Sequence, residues 1–304
     1  VGLTIVNIFG VNVSKFVNNL ITISKLVPLA LFIAIGIFFI NGANFTPVFP
    51  QDIYVDGSFA QAAVLLFFAY TGFEVIAIAA EDMKNPKKNL PRAIIMCMLL
   101  VSVLYMAILA VSIGVLGTDL ANTKAPVQDA FNVIVGPIGM YIVLIGTLIS
   151  MGGINFAEAY YAPRVATSMA EDGMLPSALA KRNRYNAPYV AAIVTAIASV
   201  LLAWSGSFTT LAAISAVSRF TQYLPTCLAV IIFRRKWADK ARSYTIPGGY
   251  LIPVIAIGTS LWMLAQAQTN QLLWGLGGCI VILPFYYSYW KKKKAGLIKD
   301  HDEM

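Results

Sequence analysis

Charge is scarce in this chain. Of its 304 residues only 12% are Asp, Glu, Lys or Arg, against 59% hydrophobic. Soluble domains carry about 25% charged and about 45–50% apolar residues, so composition excludes a water-soluble globule, and a mean hydropathy of +0.74 assigns the chain to lipid. Histidine is almost absent. The sole one, His301, lies in the polar tail, which removes His-based triads and His-ligated metal sites. Cys97, Cys227 and Cys279 each sit in an apolar run without metal-ligand spacing; they read as small buried hydrophobes, not a disulfide framework. No metal site or cofactor is expected. No GxxxxGK[ST] loop occurs, so direct ATP drive has no support. No Asp lies inside a span, which argues against an intramembrane hydrolase built on an Asp pair. An initiator Met is missing too: the chain opens on Val1 inside a membrane-like stretch with no cleavable signal before it, and this reading expects a shortened start.

What is present is a series of apolar runs. Crossing about 30 Å of hydrocarbon takes roughly 20 helical residues, and eight runs qualify: 18–40, 58–81, 92–117, 133–163, 188–205, 208–233, 248–266 and 271–290. Residues 1–14 look like the tail of another. The expected class is an all-α integral membrane protein with one domain over 1–290 and a basic, then acidic, tail over 291–304.

The loops alternate in charge. Lys84, Lys87, Lys88 and Arg92, then Lys181, Arg182 and Arg184, then Arg234, Arg235, Lys236, Lys240 and Arg242 fall on one side, as does the tail with Lys291 to Lys294. The opposite loops, around 41–57, 118–130 and 267–270, hold one basic residue, Lys124. Basic loops stay cytoplasmic, so the C-terminus is expected inside a multi-pass protein of the cell membrane. The net charge of +8 is then a topology signal, not a sign of nucleic acid, although a basic tail also suits anionic lipid. Loop grammar agrees: Asn89 and Pro91 suit a helix start, Gly173 with Pro176 a helix stop, and "SYTIPGGYLIP" a turn.

Two places in the runs are out of character. In "FFAYTGFE", residues 67–74, a Thr71-Gly72 pair and Glu74 interrupt the second complete run. Irregular backbone in hydrocarbon survives only where it lines a cavity, and transporters use such breaks to bind charged substrate groups; close helix packing at Gly72 is the plainer alternative. Glu74 favours the break, since an ionisable group there costs about 2.5–3.5 kcal/mol unless it faces a polar interior. Lys25 is a second intramembrane charge. From its position it either snorkels to the near interface or places an ammonium inside the protein.

"FFAYTGFE" followed by "AAEDMKNPKKNLPRAI" resembles the sixth span and following loop of amino acid–polyamine–organocation permeases. "APRVATSMAEDGMLP" is similar to that family's end of span eight, "RRKWADKARSYTIPGGYLIPVIAI" to its start of span eleven, and "VNNLITISKLVPLALF" to its fifth span. The likeness covers essentially the whole chain and implies a leucine-transporter-like fold, a five-plus-five inverted repeat with two further spans. In that register residues 1–14 end span four and spans one to three are absent. The resemblance implies that backbone at Ala69, Tyr70 and Thr71 binds the amine of an amino acid, that Gly72 and Phe73 complete the break, and that Phe68 closes over the substrate. It also implies that Lys25 stands where sodium-coupled relatives hold a cation, which with Glu74 points to proton-coupled symport or to exchange. Glu158, in "INFAEAYYAPR", falls at a substrate-facing position where relatives have small or aromatic residues. It either reads a cationic side chain or neutralises the deep Arg219.

The expected partners are therefore an amino acid, protons and the lipid bilayer; a homodimer is compatible but not demanded. The competing functions are transport of a polyamine or other organic cation, and a channel using Glu74 and Glu158 as ion ligands. Oxygen-rich cation sites use more ligands than two carboxylates.

Overall fold

The computed structural model describes residues 2, 4–5, 15–47, 58–74, 76, 83–238, 242 and 244–294. Among them no strand occurs. The helices are α1 (Lys15–Gly36), α2 (Ser58–Ala69), α3 (Pro86–Leu116), α4 (Pro126–Val135), α5 (Pro137–Glu171), α6 (Tyr189–Ser205), α7 (Phe208–Lys236), α8 (Leu251–Gln266) and α9 (Thr269–Lys294). Gly2, Thr4 and Ile5 are helical as well. The expected all-α class is what forms.

Five of these helices, within Ile21–Phe39, Pro86–Asn122, Pro137–Glu171, Phe208–Lys236 and Thr269–Lys291, are long and apolar enough to cross a bilayer. Their outward faces carry large hydrophobic side chains, Leu99, Val103, Met106, Leu148 and Ile282 among them, as a lipid-facing surface requires. The other three expected spans are shorter apolar helices, Phe59–Ala69, Tyr189–Ser205 and Leu251–Gln266. Apolar composition alone does not say where a helix stops. Backbone chemistry does: α8 starts late because Gly248 and Gly249 take positive φ, and α2 stops early for reasons given below.

Most stop signals act as read. Gly173 holds a φ of 78° beyond the end of α5, and the N–H of Met174 reaches back to the carbonyl of Met169 at 2.8 Å, closing the helix with a left-handed glycine. Two expectations need correction. Asn89 and Pro91 do not open α3, which starts at Pro86. Asn85, at a φ of 49°, takes the turn, and Asn89 Nδ2 donates to the carbonyl of Lys84 at 2.6 Å. Nor is 118–130 a plain loop: Pro126 sets the first turn of α4, and Gly136 at a φ of 74° separates α4 from α5. Ala130 and Phe131 form the buried face of α4, spaced too closely with polar residues to stand out as a span.

The chain divides into two compact units, one of residues 1–51, 102–201 and 289–304, the other of 52–101 and 202–288. In the first, α1 and α4 pack on α5 around Phe32, Val111, Ala130, Phe131 and Val143, with Phe32 and Phe131 edge to face at 5.7 Å. The α1–α5 crossing rests on missing side chains. A Cβ on Gly146 would lie 2.5 Å from Pro28 and 3.0 Å from the carbonyl oxygen of Ser24, and one on Gly153 would strike Ile21. Small residues are what let helices approach closely in lipid, where no hydrophobic force drives them together.

In the second unit α2 packs on α7 and α8. Val64 enters a floor made by Ala213 and Ala216, with Phe220 and Met263 beside it. Gly275 of α9 lies against α7 in the same manner: a Cβ there would meet Val217 at 2.7 Å.

Candidate functional site

Helix α2 ends at Ala69, in the middle of the apolar run 58–81. The N–H groups of Tyr70 and Thr71 donate to the carbonyls of Phe67 and Phe68 at 3.0 and 3.1 Å. These are i→i−3 bonds that tighten a final turn. The Thr71 hydroxyl donates to the same Phe68 carbonyl at 2.7 Å. Gly72 then takes a φ of 104°, open to glycine and strained for any residue with a Cβ. Phe73 and Glu74 follow in 3-10 geometry. The rest of the expected run, residue 75 and residues 77–81, lies outside the described residues.

Glu74 holds this turn in place. Its Oε2 accepts the Gly72 N–H at 2.9 Å and the Tyr223 hydroxyl at 3.0 Å, and its Oε1 faces the Arg219 guanidinium in an ion pair. Arg219 and Tyr223 stand four residues apart on α7 and so share one face. The carboxylate side chain is 15% exposed and the guanidinium 35%. A charge so placed in lipid needs its partner, because removing one leaves the other uncompensated.

Aromatic rings fix the same junction. Phe67 stacks on Phe220 at 4.7 Å and meets Tyr223 edge-on at 5.9 Å. Phe73 stacks on the other approach to Tyr223 at 5.8 Å. Phe68, half-buried, packs edge to face on Phe208 at 6.2 Å. The segment Phe68, Ala69, Tyr70, Thr71, Gly72, Phe73 and Glu74 is thus one turn braced along α7.

The remaining sequence candidates lie in the other unit. Lys25 of α1 is half-buried and lines a cavity of about 120 Å³ with Pro28, Gly146, Thr147 and Ser150. Two hydroxyl-bearing residues therefore share the cavity with its ammonium. Glu158 is exposed on α5. Arg219 has its ion pair with Glu74, not with Glu158 as one sequence reading had it. Depth in a span shows that a charge needs a counter-ion; it does not name the counter-ion. Tyr223 is the Glu74 partner that the sequence did not disclose, and its spacing of four from Arg219 is the one signal that could have found it. Among the described residues no group of three or more His, Cys, Asp or Glu side chains is placed to hold a metal ion.

Residues 1–289 match a family model described as Amino acid permease. The chain is 30% identical over 290 residues to the branched-chain amino acid permease BcaP of Bacillus subtilis, covering 93% of this chain and 61% of that protein. It is 29% identical to the methylthioribose transporter of the same organism, with the same two coverages of 93% and 61%. Its identity to the serine/threonine exchanger SteT, also of Bacillus subtilis, is 29%, over 96% of this chain and 68% of that protein. The chain thus spans about three fifths of the length of the first of these relatives, 61%.

Proposed function

The chain belongs to the amino acid permease family, a family of transporters rather than enzymes, and on that premise we propose that the complete protein moves an amino acid across the cell membrane by alternating access, as a secondary transporter. The observation that carries the reading is the end of α2 at Ala69, followed by the positive-φ turn at Gly72, inside an apolar run. A helix that ends in lipid turns the negative end of its dipole toward whatever lies beyond it. The α-ammonium of an amino acid is the natural complement of that negative end. Phe68 serves as the lid whose ring excludes water and offers a π-face to the ammonium, and Tyr70, Thr71, Gly72 and Phe73 form the turn that receives it.

Charge assigns the other roles. Glu74 already has Arg219 against it, so it adds no net negative charge for a cationic ligand. Glu158 is the carboxylate we assign to a cationic side chain. A polyamine or a bare inorganic cation is therefore a poorer occupant of the break than the head group of an amino acid, whose carboxylate balances its ammonium. Lys25 and Glu74 are the groups we assign to proton coupling. Lys25 offers an amine in a small half-open cavity, and a proton on Glu74 would release Arg219. The protein works as one permease domain over 1–290, with its basic loops and the tail 291–304 in the cytoplasm.

The test is uptake of radiolabelled amino acids by proteoliposomes holding the full-length protein, with and without an imposed pH gradient. Saturable, concentrative uptake that Glu158→Gln shifts away from lysine and arginine supports the proposal. Conductance without saturation by any amino acid would overturn it.

A further inference from the structure

A cavity of about 370 Å³ opens at the end of α7, lined by Val230, Phe233, Arg234, Trp237, Arg242 and Tyr244, with Ile246 across from them. Its position is informative. Helix α7 is a membrane-length apolar helix whose last turn is Arg234, Arg235 and Lys236, so the cavity sits where hydrocarbon gives way to water.

Its walls have two characters. Val230, Phe233 and Ile246 make a hydrocarbon lining. Trp237 and Tyr244 are residue types that favour the headgroup level of a bilayer. Two arginines are fixed at the rim by the backbone: Arg234 Nη2 donates to the Ile246 carbonyl at 2.9 Å, and Arg242 Nη2 donates to the carbonyls of Phe233 and Trp237 at 3.3 and 3.1 Å. A guanidinium has five N–H donors in a rigid fork, so these bonds orient each arginine and leave donors over. The Arg242 contacts also close the last carbonyls of α7, which accounts for its pose but not for an apolar space beneath it.

We propose that this cavity binds an anionic phospholipid, its phosphate on Arg234 and Arg242 and the start of one acyl chain against Val230, Phe233 and Ile246. The charge complements phosphate, for which planar bidentate arginine is well suited. The apolar lining complements the chain. A soluble phosphate would leave that lining in water, and a zwitterionic lipid would bring its own cation to the two arginines. The basic tail at Lys291 to Lys294 also suits anionic lipid and serves as the control.

The test is native mass spectrometry of the delipidated full chain titrated with dioleoyl-phosphatidylglycerol, dioleoyl-phosphatidylcholine or soluble glycerol phosphate. Saturable retention of phosphatidylglycerol alone is expected. Arg234→Gln with Arg242→Gln should weaken it about 25-fold, at about fivefold for each basic residue near the lipid surface. Because Arg242→Gln also removes a helix cap, Ile246→Trp supplies a second arm: it fills the cavity, keeps every charge, and should abolish saturable retention. Lys291→Gln with Lys294→Gln should leave it unchanged. Equal retention of phosphatidylcholine, competition by glycerol phosphate, or undiminished binding in Ile246→Trp would overturn the proposal.

Discussion

Arg219 of α7 and Glu74, just beyond the end of α2, form an ion pair, and the same carboxylate accepts the N–H of Gly72 and the hydroxyl of Tyr223. The interruption of α2 is therefore held to α7 by a charge pair as well as by stacked rings. Breaking a fully buried pair by removing one partner costs about 3–5 kcal/mol. Arg219 is 35% exposed, and the cost should be nearer 1–3 kcal/mol after that discount. Glu74→Gln and Arg219→Met should each lower the melting temperature by several degrees. The double variant should recover most of that loss, since neither charge is then stranded. Additive losses in a thermal-shift cycle would show that the two residues act separately.

Lys25 carries the coupling prediction. Lys25→Ala removes the amine from the cavity between α1 and α5, and should abolish the response of uptake to an imposed pH gradient while leaving exchange of labelled for unlabelled amino acid intact. Unaltered pH-gradient drive in both Lys25→Ala and Glu74→Gln proteoliposomes would remove the assignment.

Gly146 and Gly152 make a matched pair on α5. A Cβ at Gly146 meets Pro28 at 2.5 Å and a backbone oxygen at 3.0 Å, whereas one at Gly152 meets nothing within 4 Å. Overpacking costs about 1–3 kcal/mol, while Ala gains up to about 1 kcal/mol over Gly in a helix. Gly146→Ala should lower thermal stability in detergent and Gly152→Ala should leave it level or slightly raised. Equal effects would mean that α1 and α5 do not touch there.

Gly72→Val tests the turn itself. At a φ of 104° a β-branched residue is strained by about 1–3 kcal/mol, so the turn should rearrange. Stabilisation of the protein by its transported amino acid, read as a ligand-induced melting shift, should disappear. A wild-type shift in Gly72→Val would show that the left-handed turn has no part in binding.

Much of this was legible in the sequence because the solvent is so restrictive. Lipid demands long apolar helices, so composition fixed the class, and Gly173 marked the end of α5 by its freedom at positive φ. The interruption at Thr71 and Gly72 showed as a weak helix point beside a charge. What stayed hidden depended on contact rather than period. Arg219 and Glu158 are both deep charges, and only folding showed that Glu74 takes the arginine. Tyr223 looks like any interfacial tyrosine until its hydroxyl meets Glu74. The amphipathic α4 does not stand out as a helix in the sequence because its apolar face is a few residues wide.

The most direct measurement is backbone hydrogen exchange across residues 65–76 of the full-length protein, read by mass spectrometry with and without a saturating transported amino acid. Exchange over Tyr70 to Glu74 should slow markedly when the amino acid binds, while the helical residues of α2 before Ala69 change little. Exchange at Tyr70 to Glu74 that is untouched by an amino acid the protein demonstrably carries would contradict a substrate site at the interruption.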